Sequence, residues 1–363
     1  MGILRFILAL SVVIAHATAI FGCSIVGSQV AVQSFYIISG FYMSLILNEK
    51  YIKENNSYWL FLSNRFLRLY PIYWCVLLLT LLYAIALAGY SKGEHLSSLG
   101  IYVTYFNSMG FGSFALLLFS NVFIFFQDVI LFLGFDSSSG NLFFTSNFQN
   151  TNPALYRFIL LPQAWTIALE MSFYFIAPFI VKREIKVVIL LMIVSLLIRF
   201  MISNNGLDHD PWSYRFFPSE LVFFLLGNLS YRSYKKIHPL KIKSLYLNLI
   251  FCTLILFTMS YEWLVFPFKM FWYFFCFFVS IPFVFEASKR WKWDAMMGEL
   301  SYPIYISHLF ILTLLYYFPF GKGNQWGITL SITTLLFSIL LNAFVAKPIE
   351  AFRQKRLKKR TGE

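Results

Sequence analysis

Acidic side chains are scarce in this sequence: Asp and Glu together number 16 in 363 residues, and charged residues of both signs make up only 12%. A soluble domain carries about a quarter, so a large water-exposed domain is excluded. Cysteine is sparse as well. Cys23, Cys75, Cys252 and Cys276 lie in or beside apolar runs without metal-ligand spacing, which predicts no disulfide, no zinc site and no metal cofactor. The first apolar run lacks a small-residue cleavage site behind a basic start, so it is expected to stay as a helix and not to be removed as a signal peptide. The alternation of a membrane β-strand is missing too, since residues 244–261 are almost continuously apolar. There is no internal repeat and no low-complexity tract.

What the chain has in abundance is apolar surface, at 59% of its residues. A bilayer-spanning helix needs about 20 mostly apolar residues. The expected fold class is therefore all-α, a polytopic membrane helical bundle of about ten transmembrane helices. They fall at roughly 3–21, 29–48, 69–90, 161–181, 187–203, 216–231, 244–262, 268–286, 299–320 and 327–346. An eleventh run, Phe114–Phe135, is interrupted by Asn121, Gln127 and Asp128.

The net charge is +13, but the basic residues sit between apolar runs and form no patch with interleaved aromatics, so no nucleic-acid partner is expected. They read as topology markers. With both termini cytoplasmic and the eleventh run not crossing, the great majority of the 29 basic residues lie inside. If that run crossed, the four basic clusters after it would lie outside. It is accordingly predicted to be re-entrant, interfacial or buried in the bundle. The long segment from Ser91 to Leu160, rich in Phe, Tyr, Asn, Ser and Gly, then lies outside, and its aromatics argue against disorder. Residues 1–346 are expected to form one transmembrane domain, and 347–363 a basic, solvated cytoplasmic tail that touches membrane lipid.

Four stretches carry ionisable or polar groups at membrane depth. In the first helix Arg5 and His16 are eleven residues apart, hence on one face and roughly 16 Å apart along the axis. Arg5 reads either as a snorkelling anchor or as a cation at the inner mouth. His16 reads either as a structural hydrogen-bonding group or, because it titrates near neutrality, as a general base. Arg65 and Arg68, three apart, share a helix face and can grip phosphates or simply mark topology. Tyr70, Pro71, Tyr73 and Trp74 follow at headgroup level, the place of an aromatic belt.

Glu170 lies in an otherwise apolar helix, where a carboxylate must be protonated, paired or in a wet cavity. Its depth of roughly 13 Å and the roughly 8 Å of His16 are compatible with one shared cavity. Ser301, Tyr305 and His308 recur on one helix face that should point into the bundle. Arg199 and Glu220 are expected to pair with each other, while Asp128 has no assignable role.

Together these stretches resemble the acyltransferase 3 family of integral membrane acyltransferases. Its arginine followed eleven places later by histidine matches Arg5 and His16. Its aromatic-rich SGF turn resembles Ser39, Gly40 and Phe41, and its paired arginines before a Tyr-Pro step match Arg65, Arg68, Tyr70 and Pro71. Its tryptophan, hydroxyl residue and glutamate match Trp165, Thr166 and Glu170, with threonine where serine is commoner. Its SYxxYxxH ending matches Ser301, Tyr302, Tyr305 and His308.

The resemblance implies transfer of an acyl group, usually acetyl, from cytoplasmic acyl-coenzyme A to a hydroxyl of a surface glycan or lipid-linked sugar, as in O-acetylation of lipopolysaccharide or exopolysaccharide. It makes Arg5, Arg65 and Arg68 the acyl-CoA-binding set and His16 with Glu170 the catalytic pair, Glu170 orienting His16 or the acceptor. Ser39, Tyr70, Trp165, Ser301, Tyr305 and His308 are supporting residues. It also implies a multi-pass location in the inner membrane. Many relatives carry an appended extracytoplasmic hydrolase-like domain; none is recognisable here, so the chain is expected to complete the transfer itself or to hand the acyl group to a separate extracytoplasmic transferase. A transporter or flippase for a glycan or lipid-linked sugar, or a non-catalytic subunit of an envelope complex, would also use a polar membrane cavity. No matching halves with broken helices speak for a transporter.

Overall fold

A computed structural model describes residues 1–51, 57–91, 97–316 and 325–361. The chain opens with α1 (Gly2–Ala15), α2 (Gly27–Glu49) and α3 (Ser57–Tyr90). Three short helices follow, α4 (Gly100–Tyr105), α5 (Phe111–Phe123) and α6 (Gln127–Ile130). A small antiparallel hairpin, β1 (Leu133–Asp136) and β2 (Asn141–Phe144), pairs Leu133 with Phe144. The remainder is α7 (Trp165–Ile180), α8 (Ile185–Asn204), α9 (Phe217–Ile237), α10 (Ser244–Ser260), α11 (Lys269–Ser288), α12 (Lys292–Tyr316), α13 (Trp326–Leu341) and α14 (Lys347–Thr361).

Seven helical stretches among the described residues are long and apolar enough to cross a membrane, and α1 and α5 are shorter apolar helices. Outward-facing Leu, Ile and Phe along α8 are exposed, as lipid-facing side chains must be. The chain is a multi-pass helical membrane bundle. The expected crossing at 299–320 is seen to Tyr316, and 317–320 lie outside the described residues.

Close helix crossings hold the frame that positions the site, and they are made by glycine. A Cβ on Gly40 of α2 would sit 1.9 Å from the Phe224 carbonyl oxygen of α9, and one on Gly227 2.1 Å from that of Ile37. Only residues without a Cβ permit backbones this near, the usual device where lipid removes the hydrophobic drive between helices. The SGF stretch is thus not a turn but the interior of α2 at its crossing with α9. In the same way Gly2 of α1 meets Asp294 and Gly298 of α12. Asp294 accepts from the Gly2 and Ile3 N–H groups at 2.7 and 2.9 Å and from the Met1 amine at 2.8 Å. A carboxylate there satisfies donors that a helix start leaves open and complements its dipole.

The first helix is shorter than the apolar run that encodes it. It stops at Ala15, and Phe21 and Ile25 take left-handed φ values of 51° and 62° as the chain turns back towards α2. The turn is pinned on α13, where the Gly327 N–H donates to Thr18 Oγ1 at 2.9 Å and a Cβ on Gly327 would meet the Thr18 carbonyl.

The eleventh apolar run does not form one continuous helix. It is broken after α5 by left-handed Ile124 and Phe126, with φ of 65° and 68°. The residues that interrupt the run explain how the break is tolerated. Asn121 donates to the Leu117 and Phe158 carbonyls and accepts from the Leu160 N–H, while Gln127 donates to the Ser120 carbonyl and to Tyr73 Oη. Three side chains of α3 finish the job: Tyr70, Tyr73 and Trp74 donate to the carbonyls of Phe123, Asn121 and Val122 in turn. They satisfy the open end of α5. The aromatic-belt expectation for these residues is replaced by this capping role.

Around the break, the long segment packs a core of its own from Leu117, Ile130, Phe135, Leu155, Phe158 and Ile159. The tail is not simply solvated. A π turn (Asn342–Ala346) leads from α13 into α14, which packs on α3 and buries Arg353 beside its ion-pair partner Glu350.

Candidate active site

Two cavities share the Val32 and Tyr305 side chains as a common wall. The first, about 420 Å³, is cationic. Arg5 of α1 and Arg65 and Arg68 of α3 line it, and among the described residues none of these guanidiniums has an ion pair or a hydrogen bond. Arg65 is buried, Arg5 half-buried and Arg68 exposed, so the three form a gradient from the mouth inwards. Burying a charge without a partner is costly. Such a cluster marks a place where an anion supplies the missing partner, and guanidinium pairs suit phosphate.

Lys289 also lines this cavity, but Glu286 neutralises it at 2.7 Å. Glu170 of α7 faces the same space and accepts a hydrogen bond from Ser39 Oγ at 2.5 Å. Ser301 and Tyr302 stand opposite on α12, Ser301 bonding back to the Gly298 carbonyl and Tyr302 to the Leu69 carbonyl of α3. Tyr302 thereby ties the α12 wall to the helix that carries both arginines.

The second cavity, about 490 Å³, opens on the other side of the wall. Here His16, the residue that ends α1, is exposed to the cavity. Its Nδ1 lies 2.8 Å from the Val12 carbonyl. A carbonyl only accepts, so Nδ1 carries the proton and Nε2 of the neutral ring is left with a free lone pair. Behind it His308 is fully buried, with its ring 4.9 Å from that of His16. Its Nδ1 likewise donates to the Tyr305 carbonyl at 2.6 Å, and its Nε2 has no partner.

The wall itself is hydrogen-bonded. Thr166 Oγ1 donates to Tyr305 Oη at 2.8 Å, and Tyr305 Oη donates to the Gln163 carbonyl at 3.0 Å. Gln163 Nε2 reaches the Ile306 carbonyl at 2.6 Å, fixing the start of α7 against α12.

Most of the residues singled out in the sequence come together here. Arg5, Arg65, Arg68, Ser39, Glu170 and Ser301 line the first cavity, His16 and Trp165 the second, and Tyr305 both. Two expectations need correction. Glu170 lines the first cavity and His16 the second, so the one shared cavity expected for them is not seen. Tyr70 lines neither cavity and acts on α5 instead.

Arg199 and Glu220 pair at 2.9 Å, but at a fully buried carboxylate that also accepts from Gln33 Nε2, away from either cavity. Sequence reasoning missed a group around the second cavity: Arg157, Gln163, Asp210, Tyr214 and Arg215. Arg215 grips Asp210 through two hydrogen bonds of 2.5 and 2.8 Å and lies 4.3 Å over the Trp165 ring. Their only advance signal is polar character in connecting segments, and for Arg157 its solitude in a nearly uncharged one.

A bundle of membrane helices with a cation-lined cavity backed against a histidine-bearing one defines a class of membrane protein equipped for group transfer. The comparison with known families narrows it: a family model described as an acyltransferase domain matches residues 1–346. The chain belongs to the acyltransferase 3 family and is a membrane-bound acyltransferase. No curated protein and no solved structure gives a significant match.

Proposed function

We propose that this protein moves an acyl group, acetyl in the simplest case, from cytoplasmic acyl-coenzyme A to a hydroxyl of a cell-surface glycan or lipid-linked sugar. One observation carries the reading: three unpaired guanidiniums line a cavity whose far wall, Tyr305, also bounds the cavity of His16. The arginine cavity takes the phosphates and pantetheine arm of the donor. Its helix ends adjoin the basic segments that the positive-inside rule assigns to the cytoplasm. The His16 cavity, roofed by the long segment, takes the acceptor from the other face of the inner membrane.

His16 Nε2 takes the proton of the acceptor hydroxyl as its oxygen attacks the thioester carbonyl. The C–S bond breaks, and coenzyme A leaves as thiolate and is then protonated. In the stepwise version Nε2 first accepts the acyl group as coenzyme A leaves as thiolate; the hydroxyl then attacks the acyl-imidazole, the N–C bond breaks to free the neutral ring, and the hydroxyl proton passes to the thiolate or to water. Glu170, held by Ser39, belongs to the donor side, where its carboxylate positions the thioester arm.

The test is release of free coenzyme A from acetyl-coenzyme A by membranes carrying the native glycans, beside the His16→Ala variant. Release that needs both glycan and His16 supports the reading. Absence of release together with absence of acetyl-coenzyme A binding overturns it in favour of glycan transport.

A further inference from the structure

The second cavity carries a charge imbalance that acyl transfer alone does not require. Its ionic groups, beside His16, are Arg157, Asp210 and Arg215. Asp210 is consumed by its two hydrogen bonds to Arg215. Arg157 is exposed, forms no ion pair or hydrogen bond among the described residues, and is the one basic residue between 97 and 160. The cavity therefore keeps one uncompensated positive charge. Nothing in membrane topology accounts for it, since the positive-inside rule disfavours a cation on this side.

One further group at the cavity is unpaired, and it is an acceptor. His16 Nε2 carries a lone pair, as its proton sits on Nδ1. An acceptor that lacks a donor favours a ligand that donates to it. Hydroxyl groups donate, and an anion answers Arg157.

Resting on the acyltransferase reading, we infer that the acceptor is an acidic sugar. One hydroxyl donates to His16 Nε2 and is the one acylated, and a carboxylate or phosphate on the same or the adjoining residue pairs with Arg157. Arg157 is a specificity residue and touches no reacting atom.

The experiment is steady-state release of coenzyme A by the purified full-length protein, with glycan extracted from its native envelope as acceptor. The variants are Arg157→Gln and Arg157→Lys. Arg157→Gln is expected to raise the KM for glycan about tenfold, the size of a charge-assisted hydrogen bond, with kcat and the KM for acetyl-coenzyme A unchanged; Lys restores most of the loss. The wild-type KM for glycan should rise with ionic strength while that of Arg157→Gln stays flat. Carbodiimide reduction of the glycan's carboxyl groups, or its dephosphorylation, should reproduce the loss in wild type, and which treatment does so identifies the anion. Normal turnover with an Arg157→Gln KM that is unchanged and equally salt-dependent overturns the acidic acceptor and leaves the acyltransferase standing. No turnover by wild type overturns the reading beneath it.

Discussion

The His16 ring lies 4.9 Å from the His308 ring, tilted by 59°, with both Nδ1 atoms bonded to backbone carbonyls. The pair has two lone-pair-bearing Nε2 atoms, one open to the second cavity and one buried. His16→Ala is expected to abolish acyl transfer, a loss of at least about 10²-fold for a general base, with the protein still folded. Near-normal coenzyme A release by this variant would sink both versions of the mechanism. His308→Gln should lower kcat while sparing the KM for acetyl-coenzyme A.

Replacing Arg65 and Arg68 together by alanine should weaken acyl-coenzyme A binding by about tenfold or more, because each removes a charged donor to phosphate. Titration calorimetry on purified protein decides this. Unchanged affinity would reduce both residues to topology markers.

The wall between the cavities makes a different kind of demand. Tyr305→Ala removes the shared side chain together with its bonds to Thr166 and the Gln163 carbonyl. On the proposed mechanism this admits water beside the point where the acyl group passes between the cavities. Acceptor-independent release of coenzyme A should rise in glycan-free membranes, and an unchanged background rate would show that the wall does not exclude water.

Gly40→Leu should destabilise the protein by about 1–3 kcal/mol or more, the range for overpacking, since its Cβ would lie 1.9 Å from a backbone oxygen of α9. Gly112→Leu, at a position with open space around it, is the control. The readout is the thermal unfolding midpoint in detergent. Equal midpoints for the two variants would mean that α2 and α9 separate at no cost.

The helix bundle was legible because a membrane span needs an apolar run of a given length, and α2, α8 and α10 follow such runs within a few residues. The arginine cluster was legible too, as Arg65 and Arg68 sit at helical spacing. The end of α1 was not. Apolar residues continue to Phe21, and what stops α1 at Ala15 is a turn pinned on α13, more than 300 residues along the chain. Tyr70, Tyr73 and Trp74 were misread for a related reason: amphipathic aromatics look the same whether they meet lipid headgroups or the bare carbonyls of α5. Arg157 carries no spacing signal, and only its solitude in an almost uncharged segment could have drawn notice.

The first helix begins at the arginine-lined cavity and ends at the cavity of His16, clamped at its start by Asp294 and Gly298. It therefore serves as a ruler. Adding one residue between Arg5 and His16 would swing the imidazole by about 100° and shift it by about 1.5 Å, off its target. Adding four would return it to nearly the same face but about 6 Å too far out. The eleven-residue interval is thus a length standard that sets the imidazole against the guanidinium, whatever residues fill it.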